Sequence, residues 1–229
     1  MSPPAETANT PKGTRVVLRG LTIQAGERVL LDDASVSFPA GEVILLLGCS
    51  GVGKSVLLRI LAGLIGHGHS GIQYSGSIEF ISQDGHKRSE GDASHPVAVV
   101  FQSFALLDEL SPLQNVQIAL DHSRGQSVVP ANRAAELLAE LRVPTDRPTS
   151  VLSGGQQQRL AIARAIAPET DVVLYDEPTS GLDTRTAQQV TELIRETQQR
   201  YRRTSILVTH DFETLNRIAD RIVLLDHNR

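Results

Sequence analysis

The stretch Gly48-Cys49-Ser50-Gly51-Val52-Gly53-Lys54-Ser55 decides the fold, because it fits the pattern G-x-x-x-x-G-K-[ST] of phosphate-binding loops. Its glycines let the backbone curl, so that several N–H groups converge on phosphate oxygens. The apolar run Glu42–Leu47 precedes the loop and has the character of a strand buried on both faces. A helical pattern follows at Val56–Leu64. Strand, glycine loop and helix are the context that the motif requires.

The loop motif predicts two ligands, a nucleotide and a metal ion. We interpret Gly48 through Val56 as the segment that contacts the nucleotide, which we expect to be ATP. Lys54 reaches the β and γ phosphates as a point charge, and the Ser55 hydroxyl is a ligand for Mg²⁺.

Two carboxylates follow another predicted buried strand, Val172–Tyr175. At the carboxyl end of that strand, Asp176 would lie beside the phosphate loop and hold Mg²⁺. Glu177 then points toward the γ phosphate and is our candidate for the general base that orients the attacking water. Such a base typically contributes ~10²–10⁴-fold in rate.

The remaining pattern alternates strands with helices, which predicts an α/β domain with a mostly parallel sheet. The β signal fades over Leu106–Leu141, so we expect a helical insertion there. The polar stretch Ser82–Pro96 is predicted to be an exposed loop. The other predicted strands are Val16–Leu18, Leu21–Gln24, Val29–Phe38, Ile78–Ile81, Val97–Phe101, Ser205–Thr209 and Ile222–Leu225. The other predicted helices are Gln156–Ala167, Thr184–Gln199 and Phe212–Ala219.

Composition excludes several classes of protein. A net charge of −4 and an aromatic content of 3% argue against recognition of nucleic acid by charge or by base stacking. Cys49 is the one cysteine, so no internal disulfide forms, and a reducing compartment is the natural setting. No apolar run reaches the ~18 residues that a membrane span needs. We expect residues 1–14 to be a disordered tail.

A second candidate anion site begins at Leu152-Ser153-Gly154-Gly155-Gln156, just before a predicted helix. Ser153 and the two glycines lie where the first helical N–H groups have no intrahelical partner. One chain needs only one such site to hold one ATP. A head-to-tail dimer needs both, since the first site of each copy then meets the second site of the other.

Leu152–Gln156 resembles the signature motif of ABC ATPases. The resemblance runs from about Val16 to Asp226 and implies a P-loop NTPase fold of ABC type. It implies an antiparallel β subdomain beside the parallel sheet, and a helical subdomain at about 103–165 within a domain at 15–229. The positions that share that family's order and spacing are 48–55, 102, 152–159, 172–177, 180–183 and 210.

Further site residues are implied by this resemblance alone. Gln102 matches a glutamine that touches Mg²⁺ or water, and Asp183 matches an aspartate that crosses the dimer interface. His210 matches a histidine that contacts the γ phosphate. The resemblance thus implies catalytic roles for Glu177, His210, Lys54 and Gln102. It implies metal contacts by Ser55, Gln102 and Asp176, and nucleotide contacts by Ser153, Gly154, Gly155, Gln156 and Asp183.

The sequence departs from the family pattern at Ala25, where that family usually carries an aromatic residue that stacks on adenine. A base–aromatic stack is worth ~1–3 kcal/mol. We therefore predict weaker or less base-selective nucleotide binding. Members of that family also usually continue past the equivalent of Asp226–Arg229 for a further segment.

We predict that the protein is the ATPase subunit of an ABC transporter. It would be cytoplasmic and peripheral, at the inner face of the cell membrane, and its partners would be integral membrane permease subunits. Val99–Asp108 and Leu174–Asp183 resemble ATPases of bacterial phospholipid transport systems. The alternative is a soluble ABC ATPase of a non-transport assembly, such as iron–sulfur cluster assembly. A third reading is an ATP-binding regulator without turnover.

Overall fold

The structure of the protein is a computed structural model that describes residues 13–66, 71–89, 97–122, 132–168 and 170–226. The predicted tail falls mostly on residues 1–12, outside the described residues. Its last two residues do not fit that prediction, because Gly13 and Thr14 are buried. The Thr14 hydroxyl donates a hydrogen bond to Asp171 Oδ2 at 3.1 Å, which ties this end of the chain to the domain.

A five-stranded parallel sheet forms the centre of the domain. Its strands are β3 (Val43–Gly48), β6 (Val97–Val100), β7 (Val172–Asp176), β8 (Thr204–Val208) and β9 (Arg221–Leu225). They lie in the order β6-β7-β8-β3-β9, and all neighbouring pairs are parallel. Because the carboxyl ends of parallel strands meet at one edge, the segments that follow β3, β7 and β8 lie close together.

A four-stranded antiparallel sheet packs beside it. Its strands are β1 (Arg15–Ala25), β2 (Arg28–Phe38), β4 (Ile72–Ile81) and β5 (Lys87–Ser89), in the order β2-β1-β4-β5. The prediction of two separate strands before residue 25 is wrong. Gly20 adopts a φ of 57°, and the register shifts between Leu18 and Leu21, so the break is a bulge within one long strand. The predicted loop after Ser82 contains β5, a short polar strand.

The helices follow the predicted pattern with shifted ends. They are α1 (Lys54–Leu61), α2 (Pro112–Asp121), α3 (Arg133–Glu140), α4 (Gly154–Ile166), α5 (Thr184–Tyr201) and α6 (Phe212–Leu215). The predicted helix Phe212–Ala219 is wrong in part, because a 3₁₀ turn at Asn216–Ile218 replaces its second half. Within the part of the chain that the structure describes, no helix is both long and apolar enough to cross a membrane.

Two hydrophobic clusters meet at β3. Val43 and Leu45 pack in the cluster that contains residues of α2 to α5, whereas Ile44 and Leu46 pack in the cluster with α1 and the antiparallel sheet. All four side chains are at most 1% exposed, which confirms the prediction of a strand buried on both faces. The loop that follows β3 is therefore attached to a close-packed, buried strand.

Candidate nucleotide-binding site

The phosphate loop leaves β3 and enters α1, as its sequence predicts. Gly53 precedes α1 with a φ of 105°, a conformation that glycine tolerates and L side chains rarely adopt. A Cβ at Gly53 would also lie 3.0 Å from Leu30 Cβ, and one at Gly48 would lie 2.7 Å from the Leu225 carbonyl oxygen. These two glycines are therefore required by the close approach of neighbouring strands as well as by the turn.

Lys54 curls back over this loop. Its Nζ donates hydrogen bonds to the carbonyl oxygens of Gly48 at 2.6 Å and Cys49 at 3.1 Å, and the residue is 8% exposed. The backbone N–H groups at the start of α1 and the ammonium group of Lys54 thus lie on the same loop. Together they form a cationic cradle of the kind that holds phosphate oxygens.

The end of β7 meets the start of α1 through a short polar contact. The Ser55 hydroxyl donates a hydrogen bond to Asp176 Oδ1 at 3.1 Å, and Asp176 is 6% exposed. A hydroxyl oxygen and a carboxylate oxygen are hard ligands of the type that Mg²⁺ prefers. The two residues therefore fit the predicted metal, with phosphate oxygens and water left to complete its coordination.

Glu177 is held in a strained backbone conformation directly after Asp176. Its φ is 51°, in the left-handed region that costs a non-glycine residue about 1–3 kcal/mol and is found preferentially at functional sites. The Glu177 N–H donates to the Val208 carbonyl oxygen at 2.9 Å, which anchors the turn to the end of β8. The side chain is 14% exposed, so its carboxylate is largely shielded from solvent.

The carboxylate of Glu177 is oriented by the segment that follows β8. Its Oε2 accepts hydrogen bonds from the Thr209 hydroxyl at 3.1 Å and from the His210 N–H at 3.3 Å. The same oxygen lies 2.9 Å from His210 Nδ1, and the His210 side chain is 72% exposed. The predicted base and the predicted γ-phosphate contact are therefore direct neighbours, with the imidazole on the solvent side.

Three residues that the sequence analysis did not identify support this pair. The Thr179 hydroxyl donates to Asp211 Oδ2 at 3.1 Å, and the Asp211 N–H donates to Thr209 Oγ1 at 2.9 Å. Asp211 also accepts from the Thr214 N–H at 3.1 Å and so caps α6. Burial raises the pKa of Asp211, but the hydrogen bonds from Thr214 and Thr179 and the nearby His210 outweigh it, so that the pKa lies below its usual value.

Gln102 and Asp183 lie at the edge of this group. The hydrogen bond of Gln102 Nε2 goes to Ser180 Oγ at 3.1 Å, rather than toward Ser55. Asp183 caps α5 by accepting from the N–H groups of Arg185 and Thr186, each at 3.1 Å, and from the Thr186 hydroxyl at 2.6 Å. The hydrogen bonds from Thr186 are the main cause of a lowered Asp183 pKa. The metal role of Gln102 and the interface role of Asp183 stay predictions.

The start of α4 is built from the second glycine motif. Ser153 caps the helix by accepting from the Gln156 N–H at 3.4 Å, and its own N–H donates to Gln156 Oε1 at 2.9 Å. Gly155 is buried against α5, since a Cβ there would lie 2.5 Å from Thr186 Cγ2. Ser153 and Gly154 are exposed. This helix start is therefore packed on one side and open to solvent on the other.

Residues 31–180 match the family model described as ABC transporter. This chain belongs to the ABC transporter family. The sulfate/thiosulfate import ATP-binding protein CysA of Burkholderia mallei is 37% identical over 220 residues, which are 93% of this chain and 60% of that protein. The phosphonates import ATP-binding protein PhnC 2 of Rhodopseudomonas palustris is 33% identical over 228 residues, which are 96% of this chain and 79% of that protein.

Solved ABC cassettes show the same fold. The dimeric structure of a post-hydrolysis state of the ATP-binding cassette MJ0796, bound to ADP and Pi, superimposes with a TM-score of 0.75 at 29% identity. The match covers 93% of this chain and 94% of that one. The predicted fold is thereby confirmed. The chain spans about 60% of the length of CysA, so the similarity covers only part of that relative.

Proposed function

We propose that this ABC protein binds Mg-ATP at Gly48–Ser55 and hydrolyses it at an interface between two copies of the chain. We further propose that the hydrolysis energises a membrane permease, beneath which the dimer lies. The observation that carries the proposal is the meeting of three segments at one sheet edge. The phosphate loop follows β3, Asp176 and Glu177 lie at and directly after the end of β7, and His210 follows β8. The Ser55–Asp176 and Glu177–His210 contacts join these three segments.

Binding would begin with an exchange of partners at Lys54. Its ammonium group now donates to two loop carbonyls, and these bonds would give way to charge-assisted bonds with the β and γ phosphate oxygens. The first N–H groups of α1 add donors and the positive end of the helix dipole.

Hydrolysis needs a water molecule directed at the terminal phosphate. Glu177 directly follows β7, and Thr209 and His210 fix the direction of its Oε2. It would accept a proton from that water, while the imidazole of His210 would donate a hydrogen bond to a γ phosphate oxygen. A Mg²⁺ ion held by Ser55 and Asp176 would supply charge neutralisation at the β and γ phosphates.

A second copy would supply the remaining donors. The exposed start of α4 presents Ser153 and Gly154 with the free N–H groups of a helix N-terminus. In a head-to-tail dimer this surface would close on the γ phosphate that the other copy holds. The structure of the relative MJ0796, a dimer bound to ADP and Pi in a post-hydrolysis state, supports a dimer as the form that acts on the nucleotide.

The transport role rests on the relatives, which are named as import ATP-binding proteins for sulfate/thiosulfate, phosphonates, methionine and Fe³⁺. These names favour a transporter over an iron–sulfur assembly ATPase. They give no specific support to the phospholipid cargo suggested by Val99–Asp108, and that cargo stays a prediction. The partner would be an integral membrane permease, and the location would be peripheral, at the inner face of the membrane.

The catalytic proposal is tested by steady-state ATP hydrolysis in three proteins. The wild-type chain should release phosphate, and Glu177→Gln should lower the rate by about 10²-fold or more, because the amide cannot accept the proton. Glu213→Gln is the matched control, since Glu213 is an exposed acid on α6, and its rate should stay within about twofold of wild type. Equal rates in all three proteins would remove Glu177 from the reaction.

The transport proposal is tested by isolation of the full protein from detergent-solubilised membranes of its own source. An integral membrane protein should co-purify with it and should raise its ATPase rate on addition of cargo. A partner recovered only from the soluble fraction would favour the assembly alternative instead. Comparison of phospholipid with sulfate, phosphonate and methionine as stimulating cargo would decide the lipid prediction.

A further inference from the structure

The tip of the β1–β2 hairpin lies over the phosphate loop. Ala25 pairs with Arg28 across a two-residue turn, and strand alternation places Arg28 and Leu30 on the same face of β2. Leu30 Cβ lies 3.0 Å from the position a Cβ would take at Gly53. The Arg28 guanidinium nitrogens lie 3.7 and 3.9 Å from the corresponding position at Gly51. One face of the hairpin therefore lies against the phosphate loop.

Arg28 has an available guanidinium group. The residue is exposed, and the structure gives it no hydrogen bond or ion pair with any other described residue. Several other arginines of the chain are paired with carboxylates at 3.0–3.7 Å, among them Arg19 with Glu79 and Arg221 with Glu42. A planar cation without an acidic partner, placed against a phosphate-binding loop, is free to contact a bound nucleotide.

The loop is contacted on two sides, which sets the direction of a bound nucleotide. Ser55 faces Asp176, next to Glu177, where the reacting terminal phosphate would lie. Gly51 and Gly53 face the hairpin. Because the base is at the far end of the phosphate chain from the γ phosphate, it would extend away from Glu177. Arg28, at the hairpin tip, is the cationic side chain that the structure places against Gly51 of the loop.

We propose that Arg28 binds the nucleobase by stacking its guanidinium plane on the ring, at the place where Ala25 offers no aromatic surface. This inference rests on the proposed ATP site. Guanidinium is planar, delocalised and weakly hydrated, and it stacks on aromatic faces. Every base has such a face, so the contact is tolerant of base identity. The site is therefore a purine-tolerant triphosphate site, with similar affinities for ATP and GTP.

The test is calorimetric titration of Mg-ATP, Mg-GTP and Mg-tripolyphosphate into the full chain. Wild type should bind ATP and GTP within about threefold of each other. Arg28→Ala should weaken both by roughly 5- to 30-fold and change tripolyphosphate binding by less than about twofold, because only the nucleotides carry a base. Arg28→Lys, which keeps the charge and loses the plane, should resemble Arg28→Ala.

Two further variants keep the result interpretable. Arg19→Ala removes an exposed arginine of β1 that pairs with Glu79, and it should bind all three ligands as wild type does. Ala25→Tyr in the Arg28→Ala background should restore the affinity for both nucleotides, because it places an aromatic ring at the hairpin tip. Thermal melts of each variant would show that the fold is intact.

The possible outcomes distinguish a failure of the Arg28 inference from a failure of the proposed ATP site. Equal weakening of tripolyphosphate and ATP in Arg28→Ala would make Arg28 a phosphate contact and overturn the proposal. No change in any ligand would remove Arg28 from the site. If wild type bound none of the three ligands, the proposed ATP site would itself have failed. A strong preference of wild type for ATP over GTP would also contradict the inference.

Discussion

Two glycine-rich segments begin helices in this ABC protein, and they differ in what surrounds them. The loop before α1 receives Lys54, Asp176 and Leu30 from its own chain, and its helix start is enclosed. The start of α4 is capped by its own Gln156, and Gly155 packs against Thr186, but the outer surface is exposed.

The difference shows that unpaired N–H groups at a helix start do not by themselves make a complete site. The first segment lies beside the Lys54 ammonium group, the Ser55–Asp176 pair and Glu177, so one chain supplies most of the proposed phosphate site. The second segment has a rigid support and an open face, which is the geometry of a half-site that needs another surface. Each prediction below perturbs one segment and should leave the other intact.

Lys54→Ala should have the largest effect, and it acts on the first segment alone. Loss of the ammonium group would remove the proposed charge-assisted contacts to the β and γ phosphates, so ATP affinity should fall by about 100-fold or more in titration calorimetry. The start of α4 should be unaffected. Wild-type affinity in this variant would contradict the assignment of the phosphate loop. Arg59→Ala, an exposed cation in the last turn of α1, is the control and should bind normally.

Gly155→Ala should disturb the second segment, and Gly154→Ala is its matched partner. A Cβ at Gly155 would meet Thr186 Cγ2 at 2.5 Å, whereas one at Gly154 would meet Leu182 Cδ2 at an ordinary 3.4 Å. We expect Gly155→Ala to lower the free energy of unfolding by about 1–3 kcal/mol in urea titrations. Gly154→Ala should change it by less than about 0.5 kcal/mol. Equal effects would show that α4 and α5 are not tightly packed here.

Substitutions at Thr186 should have smaller effects, and they test the contacts that hold the start of α4 against α5. Thr186→Ser keeps the hydroxyl that donates to Asp183 Oδ2 but loses the methyl group against Gly155. Thr186→Val does the reverse. We expect the hydrogen bond from Thr186 to Asp183 to position residues 177–183, which connect β7 to α5. Thr186→Val should therefore lower the ATP hydrolysis rate by about threefold or more, and Thr186→Ser should lower it by less. The opposite order would assign the effect to packing.

The smallest expected effect is a pH dependence of stability at Asp211, which supports the Glu177–His210 pair. Its pKa is lowered in the folded protein, so its stabilising contribution is present above the ordinary carboxyl pKa near 3.8. That contribution should disappear as the pH falls through the lowered value. Asp211→Asn should therefore melt at a lower temperature than wild type at pH 7, and the difference should narrow by pH 3. A difference in melting temperature that stayed constant from pH 7 to pH 3 would show that the ionisation of Asp211 does not contribute to stability.

Much of the first segment could be predicted from sequence, because the motif fixes both the residue types and their place after a buried strand. Asp176 and Glu177 were predicted at the carboxyl end of a buried strand, whereas the role of His210 was implied only by the family resemblance. Thr179, Thr209 and Asp211 were missed. Neutral hydroxyls carry no periodic or charge pattern, and an aspartate before a four-residue helix gives only a weak capping signal.

The second segment was harder to predict from sequence. Ser153 and Gln156 form a capping box that a sequence rule finds. The contact of Gly155 with Thr186 depends on how α4 crosses α5, and no local pattern encodes that crossing. The bulge at Gly20 and the short strand β5 were missed for a similar reason, because the pairing with neighbouring strands keeps these polar or irregular residues in the sheet.

The central claim is that the two segments form one nucleotide site only when two copies meet. Sedimentation of Glu177→Gln with saturating Mg-ATP tests it most directly, because bound nucleotide is then not consumed. The account predicts a dimer that reverts to monomer when nucleotide or Mg²⁺ is withdrawn, and that fails to form in the Lys54→Ala/Glu177→Gln double variant. A Glu177→Gln protein that stays monomeric with saturating Mg-ATP, even when its membrane partner is present, would contradict the account.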